Sequence, residues 1–381
     1  MAQVVLALSL LAYRTPAQAV AAGAAAAAAL AARREAATLA RAAAWQHAAM
    51  MSVLLMVYAP CHLLVAAVAS LYLLLPLSTA SGVLAVLGTT YARTYLGHPG
   101  HTGTRTWPRF QAYCQSVLSV ALSRWFGSVR VVLAAPHPPR VEAVAADRTP
   151  EQEAAPIVFG YHPHGMYPAA ACWFHMTPQW RALFPGVSPV TMGASAIFWT
   201  PMLRDVVMWS GARTVSRHSV RRALHAERRP ILLCPGGQAE LVEHRAGDVT
   251  VLCTRHKGFI KCALEAGAPV CPIFVFGESH AQRNLLSFKS LQRWTAKRLG
   301  FPFPFIPGGY LRVLPLPEPK PLTFVVGPSI EPPPGRTPGA PVTDAEVDAV
   351  HAAYYAALVE LFEAHKADAG FPDATLVLKH D

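Results

Sequence analysis

Residues 255–278, which read RHKGFIKCALEAGAPVCPIFVFGE, decide the fold class of this chain. The first half has the apolar spacing of a helix over residues 255–266, and Gly267 and Pro269 separate this helix from the second half. The second half, Val270–Phe276, is an unbroken apolar run with the length of a buried strand. A helix that leads directly into a buried strand is typical of α/β proteins, in which helices join parallel strands.

Two earlier segments repeat this pattern of a buried strand followed by a polar turn. Ile157–Tyr161 and Pro230–Cys234 are short apolar runs bounded by Gly and Pro, and residues 214–228 between them have helical spacing. A further strand is predicted at Leu322–Val326, within a proline-rich stretch. The sequence therefore predicts an α/β fold with a mostly parallel sheet and flanking helices.

A long charge-free stretch precedes this domain, because no Asp, Glu, Lys or Arg occurs between Arg41 and Arg93. A membrane-spanning helix needs about 20 apolar residues, so the stretch has room for two helices and a turn. We predict helices over about 48–70 and 71–91 that form a transmembrane hairpin, with a kink at Pro60. Arginines on both flanks predict that both termini lie on the cytosolic side. A buried pair of core helices is the alternative interpretation.

The chain divides into three predicted parts. Residues 1–46 are rich in alanine and low in complexity, and we expect a poorly ordered arm. A cleaved signal peptide is the alternative there, although the basic segment that normally precedes its apolar run is missing. Residues 47–92 form the predicted transmembrane or re-entrant hairpin, and residues 93–381 form a predicted cytosol-facing domain. Seven cysteines without a CxxC spacing indicate free thiols.

The composition favours a membrane protein with an anionic partner. Hydrophobic residues make up 53% of the chain and charged ones 14%, against about 25% charged residues in ordinary soluble domains. The net charge of +11 fits an acidic lipid surface or a phosphate-bearing substrate. Nucleic-acid binding is disfavoured, because the sequence has no zinc-finger spacing, RNP-like strand or basic zipper.

Two histidines come after the first predicted strand. His162 and His164 flank Pro163 ahead of Gly165, so we expect a rigid turn to present both imidazoles at the carboxyl end of the strand. A histidine with a pKa near neutrality can take a proton from a hydroxyl group as that group attacks a thioester. Half of a metal site and a polar loop that satisfies its own hydrogen bonds are the alternatives.

Two further motifs carry groups that suit an anion. Gly236 and Gly237 come after the second strand and allow close backbone approach or amide donation to an anion, and Glu240 lies one turn later. Arg255 and Lys257 begin a run of cations that could pair with phosphate oxygens. An ordinary β-to-α turn and a charged solvent-facing surface are the respective alternatives.

A run of arginines covers residues 213–229. Arg213, Arg217 and Arg221 repeat every four residues, so we predict that they share one face of a helix. We interpret this face as a membrane-surface patch, with phosphate binding as the second interpretation.

The order and spacing of these motifs resemble the type-2 diacylglycerol acyltransferase family. The resemblance lies in residues 159–165, in the turn through Glu240, in Val325–Ile330 and above all in residues 255–278, which are similar to the family's longest motif. It covers about residues 48–380 and implies an acyl-CoA-dependent enzyme of the endoplasmic reticulum and lipid droplets. The implied reaction esterifies diacylglycerol to triacylglycerol with acyl-CoA as co-substrate and with no cofactor or metal.

The resemblance also implies roles for single residues. Plant members carry a Glu-Pro-His-Ser form of the first motif, which indicates His164 rather than His162 as the general base. Related glycerolipid acyltransferases use His-x4-Asp, but this chain has Pro168 there, so Glu240 is the candidate for the orienting acid. Acyl-CoA or oxyanion contacts are expected at Gly236, Gly237, Arg255 and Lys257.

Several alternatives stay open at this point. The family motifs do not separate diacylglycerol from monoacylglycerol or a long-chain wax alcohol as acceptor. A non-catalytic hairpin protein that coats lipid droplets would explain residues 42–92 and the basic patch, and a metal-dependent lipid hydrolase would use His162 and His164 as ligands. The membrane bilayer or droplet monolayer is the expected partner besides the substrates, and the oligomeric state, including a homo-oligomer, is left open.

Overall fold

The computed structural model describes residues 16–134, 156–286, 288–304 and 306–380. Contacts between Cα atoms divide the chain into two units, one that ends at Met51 and one that begins at Ser52. The helices are α1 (Pro16–Tyr58), α2 (Pro60–Leu74), α3 (Leu77–Ala92), α4 (Pro99–Thr102), α5 (Pro108–Tyr113), α6 (Ser119–Trp125), α7 (Pro178–Leu183), α8 (Ser195–Trp199), α9 (Leu203–Trp209), α10 (Arg217–Arg221), α11 (Gly237–Glu243), α12 (Gly258–Ala266), α13 (Glu278–Ala281), α14 (Lys289–Leu299) and α15 (Asp344–His365).

The strands are β1 (Val129–Leu133), β2 (Val158–His162), β3 (Val190–Gly193), β4 (Arg213–Thr214), β5 (Ile231–Leu233), β6 (Val249–Cys253), β7 (Val270–Phe276), β8 (Arg283–Asn284), β9 (Pro307–Gly308), β10 (Leu322–Val326) and β11 (Thr375–Lys379). A seven-stranded sheet forms the centre of the second unit, in the order β1-β10-β7-β2-β5-β3-β4. All neighbouring strands in it are parallel except β10 and β7, which are antiparallel. Two small sheets pair β11 with β6 and β8 with β9.

The main hydrophobic core lies between this sheet and the helices α12 and α15. Side chains such as Ile260, Leu358 and Phe362 pack there with residues of β2, β5 and β7 and are almost fully buried. Each such side chain contributes about 1.5–3 kcal/mol by burial. Because β2, β5 and β7 are buried on both faces, their sequences are continuous apolar runs, and the predicted mixed α/β fold with a mostly parallel sheet is confirmed.

The charge-free stretch is helical, but its breaks differ from our prediction. The predicted helices 48–70 and 71–91 are wrong in their boundaries, because the chain bends at Ala59 and again at Leu75. The predicted kink at Pro60 is present as a sharp break between α1 and α2, and Pro60 starts α2, since proline fits the first turn of a helix, where its missing N–H costs no hydrogen bond. No residue of α2 is buried, and Ala80 is the buried residue of α3.

No single described helix is both long and apolar enough to cross a membrane. Only a pair of helical segments is together long and apolar enough for such a span. The pair consists of Ala43–Tyr58 and Pro60–Leu74, with an angle of 98° between the two segments. Helix α1 begins at Pro16, so the chain is already helical well before residue 47. The division into parts at residues 46 and 92 stays a prediction, and the apolar run weighed as a signal peptide lies within residues 1–15, outside the described residues.

Candidate active site

The parallel strands β2, β5 and β7 bring the three motifs to one edge of the sheet. These strands are direct neighbours, and their carboxyl ends lead into His162–Gly165, Cys234–Gly237 and Gly277–Glu278. Parallel strands end at the same edge, which is where open α/β sheets place functional groups. The turn after β2 and the turn after β7, more than 100 residues apart in sequence, therefore lie side by side. Their positions directly after two buried strands predicted this.

His162 is fully buried beneath this edge. Its Nε2 atom forms a 3.0 Å hydrogen bond with the hydroxyl of Tyr354 on α15, and its Nδ1 atom lies 3.7 Å from Glu240 Oε1. The side chain has an exposed fraction of 0%, whereas the sequence predicted that both imidazoles are presented to a substrate; a catalytic role of His162 stays a prediction. Its contacts are those of a packing partner that joins β2 to α15.

His164 is only partly buried, and its surroundings suit a general base. Its Nδ1 atom lies 3.2 Å from the carbonyl oxygen of Gly165, which can only accept a hydrogen bond. Nδ1 therefore carries the proton of the neutral ring, and Nε2 keeps the lone pair. Burial lowers the pKa of His164, although the Gly165 carbonyl and Glu240 raise it. The imidazole is consequently neutral at neutral pH, which is the form that can take a proton.

Glu240 supports the histidine turn through its backbone rather than through an imidazole. Its Oε2 atom accepts a 2.9 Å hydrogen bond from the backbone N–H of His164, and its Oε1 atom accepts one of 3.2 Å from Cys253. The expectation that this carboxylate orients the His164 ring directly is therefore corrected: it fixes the position of the loop. A Cβ atom on Gly236 would collide with the Glu240 carboxylate, which explains glycine at that position.

The two glycine amides are not equivalent. The N–H of Gly237 donates to the carbonyl of Cys234 at 3.2 Å and closes the turn that starts α11. Its φ of +52° lies in the left-handed region that favours glycine. An amide already used inside a turn is a poor oxyanion donor, so the amide of Gly236 is the better candidate for that predicted role.

A cavity of about 1060 Å³ opens beside the Gly236–Gly237 turn. Neither His162 nor His164 belongs to its lining, which is apolar around Leu233 and Phe259. Among the described residues that line the cavity, Glu243 is the one carboxylate. The lining cations come from five segments of the chain: Arg217, Arg255, Lys261, Arg293, Lys297 and Lys379. A cavity with six Lys and Arg side chains and one carboxylate attracts a ligand that carries several negative charges.

Glu243 gathers three of the surrounding cations at one end of the cavity. It pairs with Lys289 at 3.1 Å, with Arg293 at 2.5 Å and with Lys379 at 3.3 Å. Burial raises the pKa of Glu243, but the hydrogen bonds from Arg293, Lys289 and Lys379 outweigh it and lower the pKa to about 2. One carboxylate thus holds three cations together and leaves a net positive charge.

The two cations that the sequence grouped share one cavity and differ at the other. Arg255 lines both the large cavity and a neighbouring cavity of about 770 Å³, whereas Lys257 forms a 2.6 Å ion pair with Asp348 and lines the neighbouring cavity but not the large one. The expected acyl-CoA contact of Lys257 stays a prediction. Lys261, one turn into α12, lines the large cavity.

Glu278 is a buried carboxyl group that the sequence analysis did not single out as a site residue. Tyr161 donates a 3.1 Å hydrogen bond to its Oε2 atom, and a Cβ atom on Gly165 would lie 3.3 Å from its Cγ. Burial raises the pKa of Glu278 to about 8, although the bond from Tyr161 lowers it. Glu278 comes directly after β7, just as His162–Gly165 come at the end of β2. This position was the sequence signal that could have identified Glu278 as a site residue.

The predicted arginine face forms only at Arg217 and Arg221, which lie one turn apart on α10 and both pair with Glu265. Arg213 lies in the strand β4, where it is buried and pairs with Glu227 at 2.8 Å, while α10 begins only at Arg217. Arg221 pairs with Glu265 at 2.8 Å. Periodicity alone could not show that the helix starts four residues after Arg213.

In the described part of the chain, no group of three or more His, Cys, Asp or Glu side chains has the arrangement of a metal site.

Comparison with known proteins gives a consistent set of relatives. Residues 144–379 match the model of the diacylglycerol acyltransferase family. Human diacylglycerol O-acyltransferase 2 is 33% identical over 233 residues, which cover 58% of this chain and 59% of that protein. Human 2-acylglycerol O-acyltransferase 3 is 34% identical over 231 residues, covering 57% of this chain and 67% of that protein.

Human acyl-CoA wax alcohol acyltransferase 2 is 29% identical over 226 residues, covering 56% of this chain and 66% of that protein. The chain spans about three fifths of the length of the first of these relatives, at 59%. The crystal structure of the 1-acyl-sn-glycerophosphate acyltransferase PlsC from Thermotoga maritima is 11% identical and covers 74% of this chain and 92% of that chain, with a TM-score of 0.34.

Proposed function

Because the chain belongs to the diacylglycerol acyltransferase family, we propose that it transfers an acyl group from acyl-CoA to the hydroxyl of a lipid, with diacylglycerol as acceptor and triacylglycerol as product. The observation that carries the proposal is the state of His164. Its ring is partly exposed at the edge of the sheet, its Nε2 atom holds the lone pair, and burial lowers its pKa.

In the proposed reaction, His164 Nε2 takes the hydroxyl proton as the acceptor oxygen attacks the carbonyl carbon of the thioester. The tetrahedral intermediate carries its negative charge on the former carbonyl oxygen, and the Gly236 amide is the proposed donor to it. One such donor stabilises a transition state by about 3 kcal/mol. The carbon–sulfur bond then breaks, the ester is released, and His164 returns the proton to the coenzyme A thiolate.

Glu240 is a positioning residue in this scheme, because it holds the backbone of His164 and Cys253 at the same time. The cavity beside Gly236 is the proposed site of the coenzyme A moiety. Its cations suit the phosphates, since Arg and Lys pair strongly with phosphate oxygens, and its apolar part suits the remainder of the ligand. The mechanism requires neither a metal nor an organic cofactor.

We further propose that α2 and α3 attach the protein to the endoplasmic reticulum membrane or to the droplet monolayer, with both termini cytosolic. The support is their composition and exposure: Leu73, Leu74 and Leu77 are exposed, and α2 buries none of its residues. A hydrophobic acceptor would then enter the site from the lipid phase.

Monoacylglycerol and long-chain alcohols are the second candidate acceptors. Relatives named for 2-acylglycerol and for wax alcohol are 34% and 29% identical, close to the 33% of the diacylglycerol enzyme. Identity at this level does not separate the acceptors, so the acceptor must be determined by assay.

The test is a microsomal assay with labelled oleoyl-CoA and the three acceptors offered in parallel. We expect labelled triacylglycerol from the native chain and a loss of at least about a hundredfold in His164→Ala. The matched control is His225→Ala, which removes an exposed histidine outside the site and should leave the rate unchanged. A near-normal rate in His164→Ala would reject the base, and no product with any acceptor in folded protein would reject the transfer.

A further inference from the structure

Helix α14 turns polar side chains toward the protein and large apolar ones outward, which is the reverse of a helix that faces water. Its inward residues are polar: Gln292 has an exposed fraction of 1% and Thr295 one of 4%, whereas Leu291 is 46% and Trp294 is 56% exposed. A surface helix of a water-soluble domain normally turns its apolar face toward the core. The outward face of α14 is therefore suited to an apolar environment.

Hydrogen bonds fix this orientation. The Gln292 amide donates to the carbonyls of Leu286 at 3.2 Å and Pro304 at 2.6 Å, on the two segments that flank the helix. The Thr295 hydroxyl donates to the carbonyl of Phe303 at 2.9 Å and accepts from its N–H at 2.7 Å. Turning the apolar face inward would break these bonds and bury unpaired polar groups, which is unfavourable.

The apolar exposure continues along the chain on both sides of α14. Ten of the fifteen exposed large apolar side chains described after residue 107 fall between residues 285 and 314. They are Leu285, Phe288, Leu291, Trp294, Leu299, Phe303, Ile306, Leu311, Val313 and Leu314. We call this stretch the 285–314 surface; such a concentration marks an interaction site rather than chance exposure.

The charge of the same stretch identifies the chemistry of its partner. No Asp or Glu occurs between Glu278 and Glu318, while six Lys and Arg residues do. Arg283 pairs with Glu318, and Lys289 and Arg293 pair with Glu243, so the exposed Lys297, Arg298 and Arg312 supply the positive charge of the outer face. Exposed Trp, Phe and Leu interleaved with Lys and Arg are the composition of segments that lie in a lipid interface. An apolar protein partner would not need this excess of one sign, whereas anionic headgroups are attracted by it.

We propose that the 285–314 surface docks onto an anionic lipid surface, with Leu291 and Trp294 at the acyl-chain boundary and Arg298 and Arg312 against the headgroups. The inference rests on the proposed membrane attachment and adds a second contact, far along the sequence from α2 and α3. Because α14 also carries Arg293 and Lys297, this contact places the cationic cavity next to the lipid surface.

The test uses Trp294 as its own reporter in the full-length chain, reconstituted into vesicles of phosphatidylcholine and phosphatidylglycerol. The fluorescence emission of Trp294 is obtained by subtracting the emission of the Trp294→Phe chain from that of the native chain. With brominated acyl chains we expect at least half of that emission to be lost, and we expect little quenching by aqueous acrylamide. Quenching by acrylamide but not by bromine would overturn the proposal, and so would protection from both quenchers, which would indicate a protein cover.

A second set of variants keeps the reporter and weakens the docking. Leu291→Gln combined with Arg298→Gln and Arg312→Gln, measured against the same chain with Trp294→Phe, should reduce the bromine quenching at least twofold in anionic vesicles. Undiminished quenching would reject the assigned contacts. The readout needs no turnover, so the His164→Ala chain should be quenched like the native one, and failure of the proposed reaction would leave this test intact. Phospholipid-coated triacylglycerol emulsions in place of vesicles distinguish a droplet monolayer from a bilayer.

Discussion

His162 and His164 stand two residues apart, but the end of β2 gives them different surroundings. The side chain of His162 points into the core and meets Tyr354, while that of His164 lies past the last residue of the strand and is partly exposed. A residue that ends a buried strand packs inside, and the residues after it form the functional turn. The resemblance to plant members indicated the same choice of His164, and the burial of His162 now supplies a physical reason for it.

Glu278 gives a prediction at the residue scale. Because burial raises its pKa to about 8, the folded chain holds a proton there between about pH 4.5 and 8 that the unfolded chain releases. The unfolding free energy therefore falls as the pH rises through this range. Glu278→Gln, which is neutral at every pH, should raise the melting temperature by several degrees at pH 8 and have little effect near pH 4.5.

The measurement is thermal unfolding of the detergent-solubilised chain at both pH values. Glu363→Gln serves as the control, because Glu363 is exposed on α15 and should give the same small shift at either pH. An equal effect of Glu278→Gln at pH 4.5 and pH 8 would show that the carboxyl group is not protonated in the folded state at neutral pH.

At the scale of elements, the sheet was predictable and the contacts of its helices were not. The strands at residues 158–162, 270–276 and 322–326 appear as apolar runs because burial on both faces demands such a sequence. The partner of His162, by contrast, is Tyr354, 192 residues later, and no local pattern encodes that distance. The direction of α14 also escaped prediction, because its apolar residues face outward.

The cations of the large cavity come from different elements, which yields a prediction at the same scale. Arg255→Gln combined with Lys297→Gln removes two cavity cations from different elements, and we expect the KM for acyl-CoA to rise about tenfold. Lys257→Gln is the matched control, since Lys257 pairs with Asp348 and lines the neighbouring cavity, which Arg255 also lines, but not the large one. Steady-state kinetics with varied oleoyl-CoA measure this; an equal KM increase in Lys257→Gln would reassign the phosphate site.

At the scale of the whole molecule, two exposed apolar regions, α2–α3 and the 285–314 surface, lie about 200 residues apart in sequence. They differ in kind. The helices α2 and α3 contain no charged side chain, as befits segments within a hydrocarbon phase, whereas the 285–314 surface carries five cations. Hydropathy revealed the first region from sequence, while the second is interrupted by charges and prolines and became visible only through the burial of Gln292 and Thr295.

This difference predicts how each region holds the protein on a membrane. If α2 and α3 lie within the hydrocarbon phase, alkaline carbonate should leave the native chain in the membrane pellet, because raising the pH does not weaken apolar burial. Leu73→Arg combined with Leu74→Arg and Leu77→Arg places charges that persist in alkali around the exposed break between the two helices, at about 2.5–3.5 kcal/mol per residue in a membrane centre. We expect this variant in the supernatant. Leu→Ala changes at the same three positions, which keep the segment uncharged, should leave the chain in the pellet. Retention of the arginine variant in the pellet would contradict the insertion of α2–α3.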